Sequence, residues 1–274
     1  MTLKWSPGFT MWDPSELGAD LALWLDASDA STITLNGSNV SQWDDKSGNG
    51  NHVSNATAAT QPPYLATGWN GKPTLSFTQS GLEFLFKDGV SNFNSDEDFT
   101  IASAFEFLQA YNNWDMIAGW RSVPNSNSGT SGAPVLQGMG NSDQIGYHFT
   151  DAADTRIKVD VTVRLGKKVA TISRSGGTNG NNGAATATST GFSQATYDTD
   201  TTQTFPSSAA TGFQVGGRQQ SATQYGNKYI SEVVGCNTKL STADRQKLEG
   251  YLAWKWGLTA NLPSDHPYKF APPQ

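Results

Sequence analysis

With 274 residues, 36% of them hydrophobic, the chain is long enough for one large β-sandwich or two small domains, and no apolar run in it approaches the roughly 20 residues that span a bilayer. The formal net charge is −6, and lysines and arginines are scattered, with Lys167-Lys168 the nearest approach to a cluster, which excludes a phosphate-backbone binder. Abundant Gly, Thr, Ser and Asn between short apolar stretches favour a single all-β domain.

Residues 1–18 read as an arm carrying Trp5, Phe9 and Trp12, too aromatic for a solvated tail and suited to docking on the domain or on a neighbouring chain. The arm has no basic segment followed by an apolar one, so a secretory signal is not expected. From Leu21 the pattern alternates, with Leu21, Leu23 and Leu25 on one face and Ala22, Trp24 and Asp26 on the other. Further strands are predicted at 74–77, 82–86, 99–107, 115–120, 144–150, 157–163, 168–173, 213–216 and 229–236. Turn clusters separate them, among them Ser47-Gly48-Asn49-Gly50-Asn51, Asn70-Gly71 and Asp88-Gly89. Residues 175–211 carry almost no large apolar side chains and read as a long loop. Cys236 is the only cysteine, so no intrachain disulfide forms; its apolar surroundings predict a buried thiol.

A helix is predicted over 242–256. Ser241 is its N-cap, Asp244 sits three residues on, and Gly257 provides the left-handed stop. Leu248, Tyr251, Leu252 and Lys255 share one face, Lys255 through its aliphatic stem. Trp254 and Trp256 make this helix a lid on a sheet rather than a free element.

The stretch from Leu21 to His52, LALWLDASDASTITLNGSNVSQWDDKSGNGNH, resembles the opening of laminin-G-like domains found in phage virion proteins and some bacterial surface proteins. Gly71-Lys72-Pro73-Thr74-Leu75-Ser76-Phe77, Phe213-Gln214-Val215-Gly216-Gly217-Arg218 and the tail LSTADRQKLEGYLAWKWG from Leu240 match in order, over most of 20–272. The resemblance is weakest at 151–211. It implies an all-β, two-sheet antiparallel jelly-roll sandwich of the concanavalin-A-like kind, residues 19–274 after the arm, closed by the C-terminal helix. The fold alone implies no single function.

Glycanases of this superfamily carry Glu-x-Asp-x-x-Glu on one strand, where alternate carboxylates face one cleft. That motif is absent; Glu83, Glu97, Glu106 and Glu232 are isolated, no Gly-x-Ser-x-Gly elbow occurs, and His52, His148 and His266 lack metal spacing. The chain is therefore expected not to be an enzyme. Asp44, Asp45, Asn49 and Asn51 cluster oxygens that suit Ca2+, the one candidate cofactor; the same residues suit Asx turns. Trp69, Tyr111, Trp114, Trp120 and Tyr225 fall in or near loops and could stack on sugars, or pack in the sandwich.

Two functions are expected. In the first the chain is a structural protein of a bacteriophage virion, a capsid decoration or part of a tail fibre. It would be made in the host cytoplasm and displayed on the particle surface, docked on other virion proteins or sister copies through Trp5, Phe9 and Trp12, and would aid host adhesion through cell-surface glycans. Many copies would make weak glycan contacts strong. In the second it is a carbohydrate-binding module of a bacterial surface or secreted protein. Neither involves nucleic acid or membrane insertion.

Overall fold

The computed structural model describes residues 10–95, 97–109, 115–121, 135–138, 144–150, 155–160, 165–174, 185–189, 195–196, 212–217 and 225–274. In chain order the first strands are β1 (Leu21–Asp26), β2 (Ile33–Asn36), β3 (Asn39–Trp43), β4 (Val53–Ser54), β5 (Tyr64–Trp69), β6 (Lys72–Phe77), β7 (Leu85–Asp88), β8 (Phe99–Phe107) and β9 (Met116–Arg121). They continue as β10 (Val135–Gly138), β11 (Gln144–Thr150), β12 (Thr155–Asp160), β13 (Gly166–Arg174), β14 (Ala185–Ser189), β15 (Ala195–Thr196), β16 (Gly212–Val215) and β17 (Lys228–Cys236), followed by helix α1 (Thr242–Trp256).

These strands form two antiparallel sheets. The back sheet has eight strands in the order β15-β14-β13-β8-β17-β6-β5, with β1 also on β17. The front sheet has nine, β12-β11-β10-β9-β16-β7-β4-β3-β2. β17 runs along β8 on one edge and shares the other between β6, at Lys228 to Ile230, and β1, at Glu232 to Cys236. A register shift between Ile230 and Glu232 marks that handover.

The main core fills the space between the sheets. Leu23, Leu25, Phe77, Phe99, Ile101, Phe105, Ile172, Ile230 and Val233 come from the back sheet. Val40, Trp43, Val53, Leu85, Trp120, Leu136, Phe213 and Val215 come from the front. Gly216 is needed here: its φ is 90°, and a Cβ would lie 2.0 Å from the Phe77 ring.

A second core lies on the other face of the back sheet, where α1 packs over β8 and β13. Trp24, Ala102, Ala104, Val169, Val234 and Cys236 of the sheet meet Leu248, Tyr251, Leu252 and Trp256 of the helix. The alanines on β8 admit the helix at short range. Because both faces of the back sheet are covered, β1, β8, β13 and β17 are buried along nearly their whole length. No α-helix among the described residues covers the front sheet.

The helix has the predicted limits. Ser241 Oγ accepts from Asp244 N at 3.1 Å and donates to Asp244 Oδ2 at 2.7 Å. Gly257 adopts φ 71° at the C-terminal stop. Asn70, in the turn between β5 and β6, donates its side-chain amide to the Trp256 carbonyl and so caps the helix end. Cys236 is buried, as its sequence context predicts.

Two expectations are corrected. The span 175–211 is not wholly a loop: Ala185-Thr186-Ala187-Thr188-Ser189 pairs with β13 as β14, and β15 adds two residues beyond it. Alternating β-branched Thr suits a strand even without large apolar side chains. The strand expected at 82–86 begins only at Leu85, because Leu82 lies at φ 52° inside a turn held by Glu83, whose carboxylate accepts from Thr78 N and Oγ1.

Candidate functional site

Asp26 on β1 and Glu232 on β17 are register partners in the back sheet, and their side chains meet beneath α1. Glu232 Oε1 accepts from Trp24 Nε1 at 2.7 Å and Tyr251 Oη at 3.0 Å. Its Oε2 accepts from Trp256 Nε1 at 2.7 Å and lies 2.8 Å from Lys255 Nζ. The same ammonium lies 2.8 Å from Asp26 Oδ1, and Lys46 reaches Asp26 Oδ2 at 3.1 Å and Asp29 Oδ2 at 2.9 Å. The Glu232 side chain is 0% exposed. Burial pushes its carboxyl above the usual range, against the attraction of Lys255. Burial works to raise Asp26 as well, but Lys255, Ser28 and Lys46 outweigh it and hold Asp26 below its usual value. Burial, reinforced by Glu232, drives the Tyr251 phenol upward. Two carboxylates side by side could serve acid–base chemistry. Here four donors occupy Glu232, so the group clamps strand to helix and has no lone pair aimed at a substrate.

Much of the 44–51 loop is bonded within the protein. Asp45 Oδ1 accepts from Trp24 N and Ser47 N, both at 2.9 Å, and Oδ2 from Asn51 N at 2.9 Å and Ser47 Oγ at 2.7 Å. Asn51 binds the Ala22 and Ser91 carbonyls through its amide nitrogen, and its oxygen accepts from Ser91 N at 2.7 Å. Asn49 donates to the Leu21 carbonyl at 2.9 Å, and Asp44 Oδ1 accepts from Gln42 Nε2 at 2.7 Å. The loop thus splices itself to β1 by Asx turns. Among the described residues no group of three or more His, Cys, Asp or Glu is placed to hold a metal ion.

The aromatic residues selected for sugar stacking have other surroundings. Trp69 is 1% exposed and stacks on Trp256 with centroids 5.5 Å apart. Trp120 is fully buried among Phe93, Phe99 and Phe213. Tyr225 is buried against Gly217, where a Cβ would lie 2.0 Å from its ring. None of these three presents a ring face to solvent, because each hides a large apolar area by packing. Tyr111 and Trp114 lie outside the described residues. Of the docking residues, Trp5 and Phe9 also lie outside them. Trp12 is buried on the chain's own helix, edge-on to Tyr251, and its backbone N–H donates to the Pro273 carbonyl at 3.0 Å.

The outer face of the front sheet holds a constellation that no motif announces. In register across it stand Gln42, Ser54, Phe86, Gln214, Gly119 and Val135. Phe84 stacks on Phe86 with centroids 5.8 Å apart and an interplanar angle of 28°. Gln214 is 1% exposed, yet neither its side-chain oxygen nor its nitrogen has a hydrogen-bond partner. Its neighbours on β16, Phe213 and Val215, belong to the main core, which places Gln214 on the opposite face. The only sequence signal was this alternation, one amide between two core residues. A buried amide left unpaired costs about 1–3 kcal/mol; Trp43 Nε1, Trp69 Nε1 and Thr171 Oγ1 are also unpaired, but among the described residues Gln214 is the side chain that leaves both a donor and an acceptor without a partner.

No protein-family model matches the chain, and no curated protein matches it. Solved structures do share its fold. A Trypanosoma rangeli sialidase in complex with sialic acid matches with a TM-score of 0.55 at 13% identity, over 86% of this chain and 33% of the sialidase. A GH54 α-L-arabinofuranosidase matches with a TM-score of 0.57 at 12% identity, over 86% of this chain and 59% of that one. The receptor binding domain of botulinum neurotoxin mosaic serotype C/D matches with a TM-score of 0.52 at 13% identity, over 83% and 49%. The chain therefore spans between a third and about three fifths of the length of these proteins. The expectation that the chain is not an enzyme is corrected by this comparison: two of these three neighbours are glycosidases, so the missing Glu-x-Asp-x-x-Glu strand does not separate this sandwich from enzymes. At such identities the likeness establishes the fold: a β-sandwich of the kind present in these glycosidases and in a toxin's receptor binding domain.

Proposed function

We propose that the chain is a carbohydrate-binding β-sandwich module, a concanavalin-A-like jelly roll whose ligand lies on the outer face of the front sheet. The observation that carries this reading is Gln214, buried with both amide atoms unpaired beside the stacked Phe84 and Phe86. Sugar sites pair an apolar ring face with a few convergent hydrogen-bonding groups; on this face the half-buried Phe86 is the ring and the Gln214 amide the polar group, with Phe84 buried behind them. The fold neighbours support it, since a sialidase, an arabinofuranosidase and a toxin receptor binding domain carry the same sandwich.

The hydrogen bond between Trp12 N and the Pro273 carbonyl favours a second reading, display on a larger assembly such as a bacteriophage particle or a bacterial surface. The segments around Trp12 and Pro273 then lie on the α1 side, opposite the front sheet. A glycan array separates the two. Saturable binding that falls at least tenfold in Gln214→Ala and Phe86→Ala is the expected result. Silence across the array overturns the sugar-binding reading, and uptake of the purified chain by particles lacking it would then establish the second.

A further inference from the structure

We infer that the clamp beneath α1 is also a modification site: in the folded chain the Lys255 amine and the Asp26 carboxyl condense to an amide, with Glu232 carrying the proton between them. This stands independently of sugar binding. The clamp holds the three parts such a condensation needs. The nucleophile lies against the electrophile, with Lys255 Nζ 2.8 Å from Asp26 Oδ1 and Cγ one bond further on. A proton carrier touches the nucleophile, since Glu232 Oε2 is 2.8 Å from the same nitrogen. Water is largely shut out: the Lys255, Asp26 and Glu232 side chains are 12%, 5% and 0% exposed, and the Tyr251 and Trp256 rings lie 5.3 and 5.5 Å from Nζ.

Lys255, Ser28 and Lys46 hold Asp26 ionised at rest, so a proton has to be moved before the bond can form. Glu232 can take it, because burial raises its carboxyl. Lys255 Nζ gives one proton to Glu232 Oε2, and the electron pair so freed forms the bond to Asp26 Cγ. Lys46, 3.1 Å from Oδ2, steadies the negative charge that gathers there. The Cγ–Oδ1 bond then breaks. Oδ1 takes the proton back from Glu232 and a second one from the nitrogen, and leaves as water. Glu232 ends as it began, and no co-reactant is consumed. The amide ties β1 to α1, with β2 to β17 enclosed between its ends. Folding comes first, because the three side chains meet only once β1, β17 and α1 have docked; the freshly folded chain therefore titrates as an ion-paired one.

The test is intact mass spectrometry under denaturing conditions, on the full chain sampled from the moment of folding over several days. The expected result is a species lighter by one water that accumulates with time, and a digest in which the peptide containing Asp26 is joined to the one containing Lys255. Lys255→Arg keeps a cation in the clamp and should stay at full mass. Glu232→Gln keeps an acceptor oxygen without the means to carry the proton, and should convert at least tenfold more slowly. A natively folded wild-type chain that stays at full mass overturns the inference, whether or not either variant folds. So does a water lost elsewhere, as a cyclic imide at Asn70-Gly71 or Asp88-Gly89, or an amide made by Glu232 in place of Asp26. Equal rates in wild type and Glu232→Gln overturn the proton-carrying role of Glu232.

Discussion

At the scale of single residues, Gln214 and Glu232 are opposites. Each is a buried polar side chain, but Glu232 has four donors around it, whereas Gln214 has no partner for either amide atom. A protein gains nothing in stability from the second arrangement. Gln214→Leu keeps the volume and removes the two unpaired atoms, so it should stabilise the fold by about 1–3 kcal/mol. Urea unfolding of wild type and variant measures this, and a drop in the midpoint would mean that the amide is bonded after all. A variant that is more stable and has lost its sugar would tie the cost to function. Lys255 shows what pattern reading leaves out. Its spacing with Leu248 and Tyr251 put it on the buried face, and its aliphatic stem was the part expected to matter. Its ammonium is what matters, because it bridges two carboxylates from strands that the sequence sets far apart.

At the scale of elements, legibility followed locality. Helix α1 was readable to the residue, since Ser241, Asp244 and Gly257 act on neighbours within one turn. Strands β8 and β17 were readable because their apolar residues are dense. β14 was not, because Thr and Ala form a strand there only once β13 offers its edge. The candidate site was barely readable: Gln42, Ser54, Phe86, Gln214 and Gly119 come from five strands, and only sheet order makes them neighbours. The clamp beneath α1 has the same character, with Trp24 and Glu232 separated by 208 positions. It joins β1, β17 and α1 at one carboxylate. Glu232→Ala should therefore cost about 3–5 kcal/mol, the loss typical of removing one partner from a buried charge network. Two indole N–H groups and the Tyr251 hydroxyl lose their acceptor, while Lys255 retains Asp26. Chemical denaturation followed by tryptophan fluorescence reads this directly, since Trp24 and Trp256 report on the clamp; a loss below about 1 kcal/mol would show that the network behaves like a surface pair.

At the scale of the whole molecule, the clamp and its rim set the response to acid. Asp26 is held below its ordinary value of 3.8, and Asp29 is lowered to about 2 by Ser31 and Lys46. An acid whose folded value is depressed binds fewer protons in the folded state, so its stabilisation is complete above the unfolded value and fades as pH falls through the folded one. The Asp29 side chain is about one-third exposed, at 34%, and solvent screens part of its share. Glu232 acts with the other sign: its value is raised above 4.5 by burial, so it weakens folding as pH rises through that shifted value and relaxes on acidification. The net result is a fall in stability between about pH 4 and pH 2 that Asp26 dominates, the opposite contribution of Glu232 having been completed at higher pH, above its ordinary 4.5. Urea midpoints measured across that window should decline in the wild type and decline less steeply in Asp26→Asn, whose neutral amide has nothing left to protonate. Identical slopes would place the acid sensitivity in other carboxylates and detach it from the joint at which β1, β17 and α1 meet.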